Sequence, residues 1–426
     1  MQKTVLYNTT AQLLAKVVSM ALTMVTTILI TRALGKEGYG QFTIMQTLPA
    51  LLFVLSDFGL NATALKKMTR NANQAQDYYQ AVLTLRPVLS LLLMAVLNTV
   101  VFLLPYSVFL KTGIFLTSFW ILTQSLFSTT NLAFQYKQRY DLASIGYVLG
   151  SFFTAGLVFV FIRLGLDVRF LSFSYVLGGV VTFIINAEVL KRLGYQTRLA
   201  LTTLRNRQSL RQLLTGSLPL GLMFIFSQVN FKADAILLSL LKLPPALNLN
   251  NIDSVAIYAL PYKIFEVSLA VPTFIMNASY PIFVARLHSS SKELKRTFVK
   301  SFKYLTFLGL TTSALLYLMA PFAIQLLGGA QFAQSVSVLR ILAAGSLLFY
   351  LTQPLAYLIV TLDKQRYLPV IYLISALFNV TANLIFIPRY SFYASAYITW
   401  LSEALILLLL IFFGIKAWKT STNDST

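Results

Sequence analysis

About a dozen separated runs of 18 to 25 mostly apolar residues leave this chain one solvent that suits it, a lipid bilayer. A spanning helix needs about 20 apolar residues to cross roughly 30 Å of hydrocarbon. The runs fall at approximately 12–31, 41–62, 82–104, 113–135, 144–163, 170–190, 216–240, 255–285, 304–327, 338–361, 368–387 and 393–415. Only 11% of the 426 residues are charged, against about a quarter in soluble proteins. The chain therefore reads as an all-α integral membrane protein with about 12 transmembrane helices.

Its formal charge of +21, from 34 Lys and Arg against 13 Asp and Glu, does not point to nucleic acid. Most of the basic residues sit in short loops, where they fix topology and meet anionic lipid headgroups. Counted on alternate sides of the twelve spans, 22 basic residues fall on one side and 7 on the other. The richer side takes in Lys66, Lys67, Arg70, Lys191, Arg192, Arg286, Lys292, Lys295, Arg296, Lys300 and Lys416. An even number of spans and this asymmetry predict that both termini lie in the cytoplasm. The first apolar run lacks a small-residue cleavage site and is read as a retained span. There is no cysteine, which removes disulfides and thiolate metal sites. The one histidine, His288, sits in a polar run with Ser289, Ser290 and Ser291 and is expected in a solvated loop.

Two inner connections carry helical signals. Ser290 and Glu293 have the spacing of a capping box. Leu294, Phe298 and Phe302 then recur every four residues among lysines, the pattern of an interfacial helix. Leu199–Leu214 mixes Leu and Arg in a similar way, and the polar tail Lys419–Thr426 is expected to be disordered. A shift of 219 residues lays Gly38-Tyr39-Gly40 over Ile257-Tyr258-Ala259, Lys67 over Arg286, Tyr79 over Phe298 and Leu83 over Phe302. Six spans per repeat imply two six-helix bundles related by a pseudo-two-fold axis along the membrane normal. The expected organisation is a first bundle over 1–190, a basic linker over 191–215, a second bundle over 216–418 and a tail over 419–426.

No enzyme constellation is present. Gly35-Lys36 lacks the rest of a phosphate-binding loop, and no G-x-S-x-G nucleophile signature occurs. The longest outer connection, about Leu241–Ser254, holds a single acid, Asp253. Neither catalytic nor metal-binding residues nor a cofactor are expected. Ionisable residues inside spans are more informative, because a charge at mid-bilayer costs about 2.5–3.5 kcal/mol on insertion scales and tends to face a cavity or a partner. Lys16 lies in a first span that contains no acid, Lys232 and Asp234 in the seventh, Lys263 and Glu266 in the eighth, and Glu403 in the twelfth. Lys263 and Glu266 share a helix face and can neutralise each other, whereas Lys232 and Asp234 do not face each other. Asp57, Arg86 and Arg340 stand near span ends and are expected to snorkel. Pro261, Pro272 and Pro281 interrupt the eighth span and mark it as a hinge.

Three stretches carry a resemblance that covers nearly the whole chain. The first is Ile30-Thr31-Arg32-Ala33-Leu34-Gly35-Lys36-Glu37-Gly38-Tyr39-Gly40-Gln41-Phe42, running into Ser56-Asp57-Phe58-Gly59-Leu60. The second is Lys232-Ala233-Asp234-Ala235-Ile236-Leu237-Leu238, followed by Ile257-Tyr258-Ala259 and Pro281. The third is Leu339-Arg340-Ile341-Leu342, then Leu377-Phe378-Asn379 and Ile387-Pro388-Arg389-Tyr390. Together they resemble the bacterial polysaccharide flippases of the multidrug/oligosaccharidyl-lipid/polysaccharide exporter superfamily. The resemblance implies two six-helix bundles in the cytoplasmic (inner) membrane. It also implies a lipid-linked oligosaccharide as cargo, with polysaccharide-assembly proteins and anionic lipids as partners. The multidrug branch usually has an acid in the first span, where this chain has Lys16, and lipid II flippases generally carry two further helices.

The expected function is alternating-access flipping of a polyprenyl-diphosphate-linked glycan, an O-antigen, capsule or exopolysaccharide repeat unit. Lys16, Lys232 and Lys263 are the expected cationic site for its diphosphate-sugar head group, and Asp234, Glu266 and Glu403 the candidate ion-coupling groups. A cation-coupled multidrug-type exporter is the alternative, which would need an acidic cavity. A membrane polysaccharide polymerase or ligase would need a catalytic outer loop.

Overall fold

The computed structural model describes residues 2–195 and 207–423, and every long element among them is an α-helix. In chain order these are α1 (Gln2–Asp57), α2 (Leu60–Arg70), α3 (Ala75–Leu103), α4 (Val108–Tyr136), α5 (Tyr140–Arg163), α6 (Val168–Arg192) and α7 (Arg207–Leu240). They continue as α8 (Asn251–Ser268), α9 (Ala270–Ser289), α10 (Ser291–Leu327), α11 (Ser335–Thr361), α12 (Leu368–Tyr390) and α13 (Phe392–Asn423). Ten helical stretches among the described residues are long and apolar enough to cross a bilayer. One of them holds the first two anticipated spans. The anticipated span over 113–135 falls in α4, 29 residues long, whose Thr117, Ser118, Thr123, Ser125, Thr129 and Thr130 are buried. Those hydroxyls lower its mean hydropathy, yet they face protein rather than lipid.

Several local expectations change. The first two spans are joined not by a loop but by a kink at Gly35, with φ 67° and ψ −165°, a conformation open to glycine and hardly to any other residue. The second span ends at Asp57. Phe58 and Gly59 then turn the chain with positive φ, and α2 buries Leu60, Ala64 and Met68 at four-residue spacing. The helix α10 begins at the anticipated cap, where the Glu293 N–H donates to Ser290 Oγ at 3.2 Å. The Glu293 carboxylate does not close the capping box, since it pairs with Arg286 at 3.3 Å. Nor is this segment a separate interfacial helix. Its Leu294 and Phe298 pack on Met276, Phe283, Tyr350 and Leu358 of the protein's own core. Lys292, Lys295, Arg296, Lys300 and Lys303 stay exposed.

The backbone at His288 is helical rather than loop, and its side chain lies outside the described residues. Residues 199–206 of the anticipated Leu–Arg helix also lie outside them. The tail expected to be disordered from 419 is helical to Asn423, and 424–426 are again outside. At the N-terminal end of α6, Asp167 accepts from the Arg169 N–H at 2.8 Å and pairs with its guanidinium at 2.6 Å. That guanidinium holds the Asp167 carboxyl below the usual carboxylate range.

The chain divides into two compact units between Ile225 and Phe226, inside α7. In the first unit α1 packs on α3, α4, α5 and α6, and α4 packs on α3 and α6. The helices α5 and α6 approach through a reciprocal notch: Gly150 receives the Thr182 hydroxyl, and Gly178 receives that of Thr154. Residues 216–225, anticipated in the second bundle, cluster with the first unit, where Gly59 touches Leu220 and Gly221. In the second unit α11 is the central element, packed on α8, α9, α10 and α13.

The prolines explain how these helices bend without stranding polar groups in lipid. A proline has no N–H to give the carbonyl four residues earlier, and its ring pushes against that carbonyl. In hydrocarbon such a carbonyl needs another donor. The freed carbonyl before Pro261 is that of Ile257, and it accepts from Ser335 Oγ at 2.8 Å. Before Pro272 it is Ser268, which accepts from Tyr350 Oη at 3.0 Å. Before Pro49 it is Met45, which accepts from Thr117 Oγ1 at 2.8 Å. The anticipated hinge in the eighth span is a break at Leu269 between α8 and α9. It is held by a hydroxyl from α11.

Replacing Tyr350 with Phe should therefore cost about 1 kcal/mol of stability, the usual scale for a buried carbonyl that loses its donor. In a Pro272→Ala background residue 272 regains an N–H for Ser268, so the same replacement should cost clearly less. Thermal unfolding of the four proteins in one detergent checks this. An equal cost in both backgrounds would show that Tyr350 does not serve the proline-freed carbonyl.

Candidate substrate and ion sites

The second unit gathers most of the intramembrane charge. From α7 come Asn230, Lys232 and Asp234, and from α8 Tyr258, Tyr262, Lys263 and Glu266. The helix α11 adds Thr352, α12 adds Ser375, Asn379 and Asn383, and α13 adds Ser395, Thr399, Ser402 and Glu403. Residues 232 and 234 point to different partners, as their spacing on a helix requires.

Asp234 is fully buried. Its Oδ2 accepts from Tyr258 Oη at 2.6 Å and Thr399 Oγ1 at 3.0 Å, and its Oδ1 accepts from Asn383 Nδ2 at 2.7 Å. Behind these, Asn383 accepts from Ser395 Oγ at 3.0 Å and donates to the Asn379 carbonyl at 2.9 Å. Asn379 in turn reaches Ser402 Oγ at 3.3 Å. All these donors are neutral, so the carboxylate is oriented and solvated by the protein without being matched by a protein cation. Glu403 is also buried and accepts from Thr352 Oγ1. The phenol of Tyr262 is buried with its oxygen unpartnered.

Lys232 and Lys263 share one carboxylate. Lys232 Nζ lies 3.2 Å from Glu266 Oε1, and Lys263 Nζ lies 3.4 Å from Glu266 Oε2. The three side chains are 22%, 37% and 37% exposed, in contrast to the sealed Asp234. The i, i+3 pairing anticipated for Lys263 and Glu266 is present. The second lysine on the same acid was hidden, because it crosses from α7 to α8. Lys16 stands exposed on α1 in the first unit.

The first unit holds a charge pair of a different kind. Arg86 and Asp57, expected to snorkel, instead meet inside the unit: the guanidinium is fully buried and the carboxylate 27% exposed. Arg86 also donates to Thr129 Oγ1 at 3.0 Å, and Asp57 accepts from Ser128 Oγ at 3.0 Å. Alongside, Ser56, Ser90 and Ser125 form a hydroxyl triangle with edges of 3.0, 2.7 and 2.8 Å. These bonds tie α1, α3 and α4 at one level. Breaking one partner of such a buried pair typically costs about 3–5 kcal/mol, since the other charge is left uncompensated. Pairing wins over snorkelling because both side chains find a partner without reaching water. Arg340 does stay at the surface, its guanidinium 5.2 Å from the Tyr317 ring centre.

Sequence reasoning missed Asn383, Thr399, Tyr262 and Thr352. Polar residues at three- and four-residue spacing in otherwise apolar spans, as in Asn379–Asn383 and Ser395–Thr399–Ser402, carry the signal for such a face.

The profile of the polysaccharide biosynthesis protein family matches residues 5–288. The chain belongs to that family. No curated protein sequence matches it. Among solved structures, an inward-facing multidrug resistance MATE family transporter of the MOP superfamily superposes with a TM-score of 0.77 at 15% identity, covering 96% of each chain. The lipid II flippase MurJ, in an inward closed conformation, gives 0.76 at 12% identity, covering 97% of this chain and 90% of its own. A MOP superfamily transporter from Pyrococcus furiosus Vc1, described by a binding pocket of reverse polarity, gives 0.69 at 16% identity over 100% and 96%. At these identities the likeness establishes the fold. This family member is a multi-pass membrane protein that shares the fold of those structures.

Proposed function

We propose that this chain is a flippase that carries a polyprenyl-diphosphate-linked oligosaccharide from the cytoplasmic to the outer leaflet by alternating access. The cargo class is the repeat unit of an O-antigen, capsule or exopolysaccharide. The observation that carries the reading is the half-exposed trio of Lys232, Glu266 and Lys263, which leaves a net positive charge on helices that cross the membrane. A diphosphate offers charge-assisted hydrogen bonds to both ammonium groups, and the apolar tail can remain in lipid. Lys16, the third cation expected from the sequence, lies on α1 of the first unit. A multidrug exporter of organic cations would need exposed acid, whereas Asp234 and Glu403 are buried and Glu266 is matched twice over.

Deletion of the gene should abolish one surface glycan while its lipid-linked repeat unit accumulates on the cytoplasmic face. Complementation with Lys232→Gln or Lys263→Gln should lower glycan output at least tenfold at normal membrane levels. The matching arginine variants should retain most of it. If the repeat unit is never assembled in the deletion strain, the protein acts earlier, as an enzyme, and the flippase reading fails.

Asp234 and Glu403 supply the ion-coupling site in this reading, because a buried carboxylate faced only by neutral donors calls for a proton or a cation. Glu266 belongs with the lysines. Asp234→Asn and Glu403→Gln proteins in liposomes should lose the acceleration that a proton or sodium gradient gives the native protein. Unchanged gradient dependence in both would remove them from coupling.

In this reading both termini and the segments 191–215 and 286–303 lie in the cytoplasm of the inner membrane, as the basic asymmetry directs. The absence of native cysteine gives a clean background for labelling. A cysteine introduced at Lys295 should react with an impermeant maleimide only after the cells are opened. Labelling in intact cells would invert the topology.

A further inference from the structure

We propose that Glu266 is an internal stand-in for the diphosphate: its carboxylate occupies Lys232 and Lys263 in the empty transporter and yields both to the cargo. The exchange rests on the diphosphate reading above, and adds to it the residue that sets selectivity and release. Three observations lead to it.

The first is stoichiometry. One carboxylate serves two ammonium groups from two helices, one on each oxygen. Without Glu266 the two lysines would repel each other; with it they are held close together on one carboxylate. A monovalent anion entering here would replace one negative charge with another and gain little. A diphosphate brings more charge and oxygens on two phosphoryl groups, one for each lysine. Discrimination in favour of diphosphate follows from the competitor already in place.

The second is looseness. The two contacts, at 3.2 and 3.4 Å, are longer than the roughly 2.7–2.9 Å of a strong charge-assisted bond. All three side chains are partly exposed, so a ligand can reach the pair. The Arg86–Asp57 pair is the contrast within the same chain, with a sealed guanidinium and further hydroxyl bonds from Thr129 and Ser128. One pair is built to stay closed and the other can exchange.

The third is the surrounding charge. Asp234, two residues from Lys232, is committed to Tyr258, Thr399 and Asn383, and Glu403 to Thr352. Neither is bonded to the two lysines, so Glu266 is the acid that competes for them. After translocation its carboxylate can retake the ammonium groups, which favours release of the diphosphate on the outer side.

The test uses the full-length protein in nanodiscs, with farnesyl diphosphate, farnesyl monophosphate and farnesol as probes in titration calorimetry. Glu266→Gln should bind the diphosphate about tenfold more tightly than the native protein, a change of about 1.4 kcal/mol. It should gain still more for the monophosphate, so that the preference for diphosphate narrows. Glycan output in cells should nonetheless fall, because release slows. Glu266→Asp, which keeps the charge but draws it back from the ammonium groups, should fall between the two, and it carries the test if the Gln variant does not fold. Unchanged or weaker diphosphate binding in the folded variants, alongside loss of binding in Lys232→Gln and Lys263→Gln, would overturn the stand-in role and leave the diphosphate site intact. Binding of diphosphate no better than farnesol in the native protein and every variant would instead overturn the diphosphate reading itself.

Discussion

A hydrogen-bonding backbone inside hydrocarbon has nowhere to turn but to the protein itself, and this chain is organised around that requirement. Several of its helices carry an internal proline, and each leaves the carbonyl four residues earlier without its helical donor. At Pro49, Pro261 and Pro272 the freed carbonyl meets a hydroxyl from a neighbouring helix, Thr117, Ser335 or Tyr350. Two of the three hydroxyls come from α11, which also contacts α8, α9, α10 and α13. The central helix of the second unit is thus more than a packing partner: it fixes where α8 ends and α9 begins. Tyr350 also bonds to Thr312 of α10 at 3.0 Å, so the break at Leu269 is tied to a third helix. A bend secured in this way has a defined position and direction.

The same demand sorts the polar side chains. Hydroxyls on α4 and α5 lie back on their own helix carbonyls, as Thr129 does on Ser125 at 2.9 Å and Thr154 on Gly150 at 2.9 Å. This lets them occupy tight helix contacts without a separate partner. Carboxylates and guanidinium groups cannot be satisfied so cheaply, and they draw in donors from several helices at once. Asp234 recruits α8, α12 and α13, and Arg86 ties α3 to α1 and α4. Each buried charge therefore fixes the relative position of its helices within its unit.

The spans were legible because length and apolarity are read directly from the chain, and a bilayer demands both. The capping serine at 290 was legible for a similar reason, being local. What the sequence hid was non-local or turned on a single residue. Lys232 and Glu266 lie 34 residues apart and meet only because α7 and α8 bring them together. Arg86 and Asp57 looked like residues near span ends, and pairing across α1 and α3 buried the guanidinium instead. The join at Gly35 looked like a loop, since nothing in the flanking residues announces that one positive φ replaces it. The stripe of Leu294, Phe298 and Phe302 was read correctly as one apolar face. Periodicity does not say whether such a face meets lipid or protein, and here it meets the core around Tyr350 and Leu358.

Exposure separates the charges sealed inside each unit from those a ligand can reach. Arg86, Asp234 and Glu403 are each buried and bonded to groups that hold them in place. Moving any of them alone would strand a charge or its donors in a medium that solvates neither. Lys232, Lys263 and Glu266 keep one net positive charge, remain partly exposed, and their bonds are long. Under the proposed function both kinds have a part: sealed charges that fix helices within each unit, and a partly balanced, exchangeable cation pair that an anion can claim. A lone ammonium pair would be costly to insert and would hold its cargo too tightly to release. A pair sealed against an acid would never bind. In the proposed exchange the two lysines on one partly exposed glutamate sit between these limits, where entry and release can both occur.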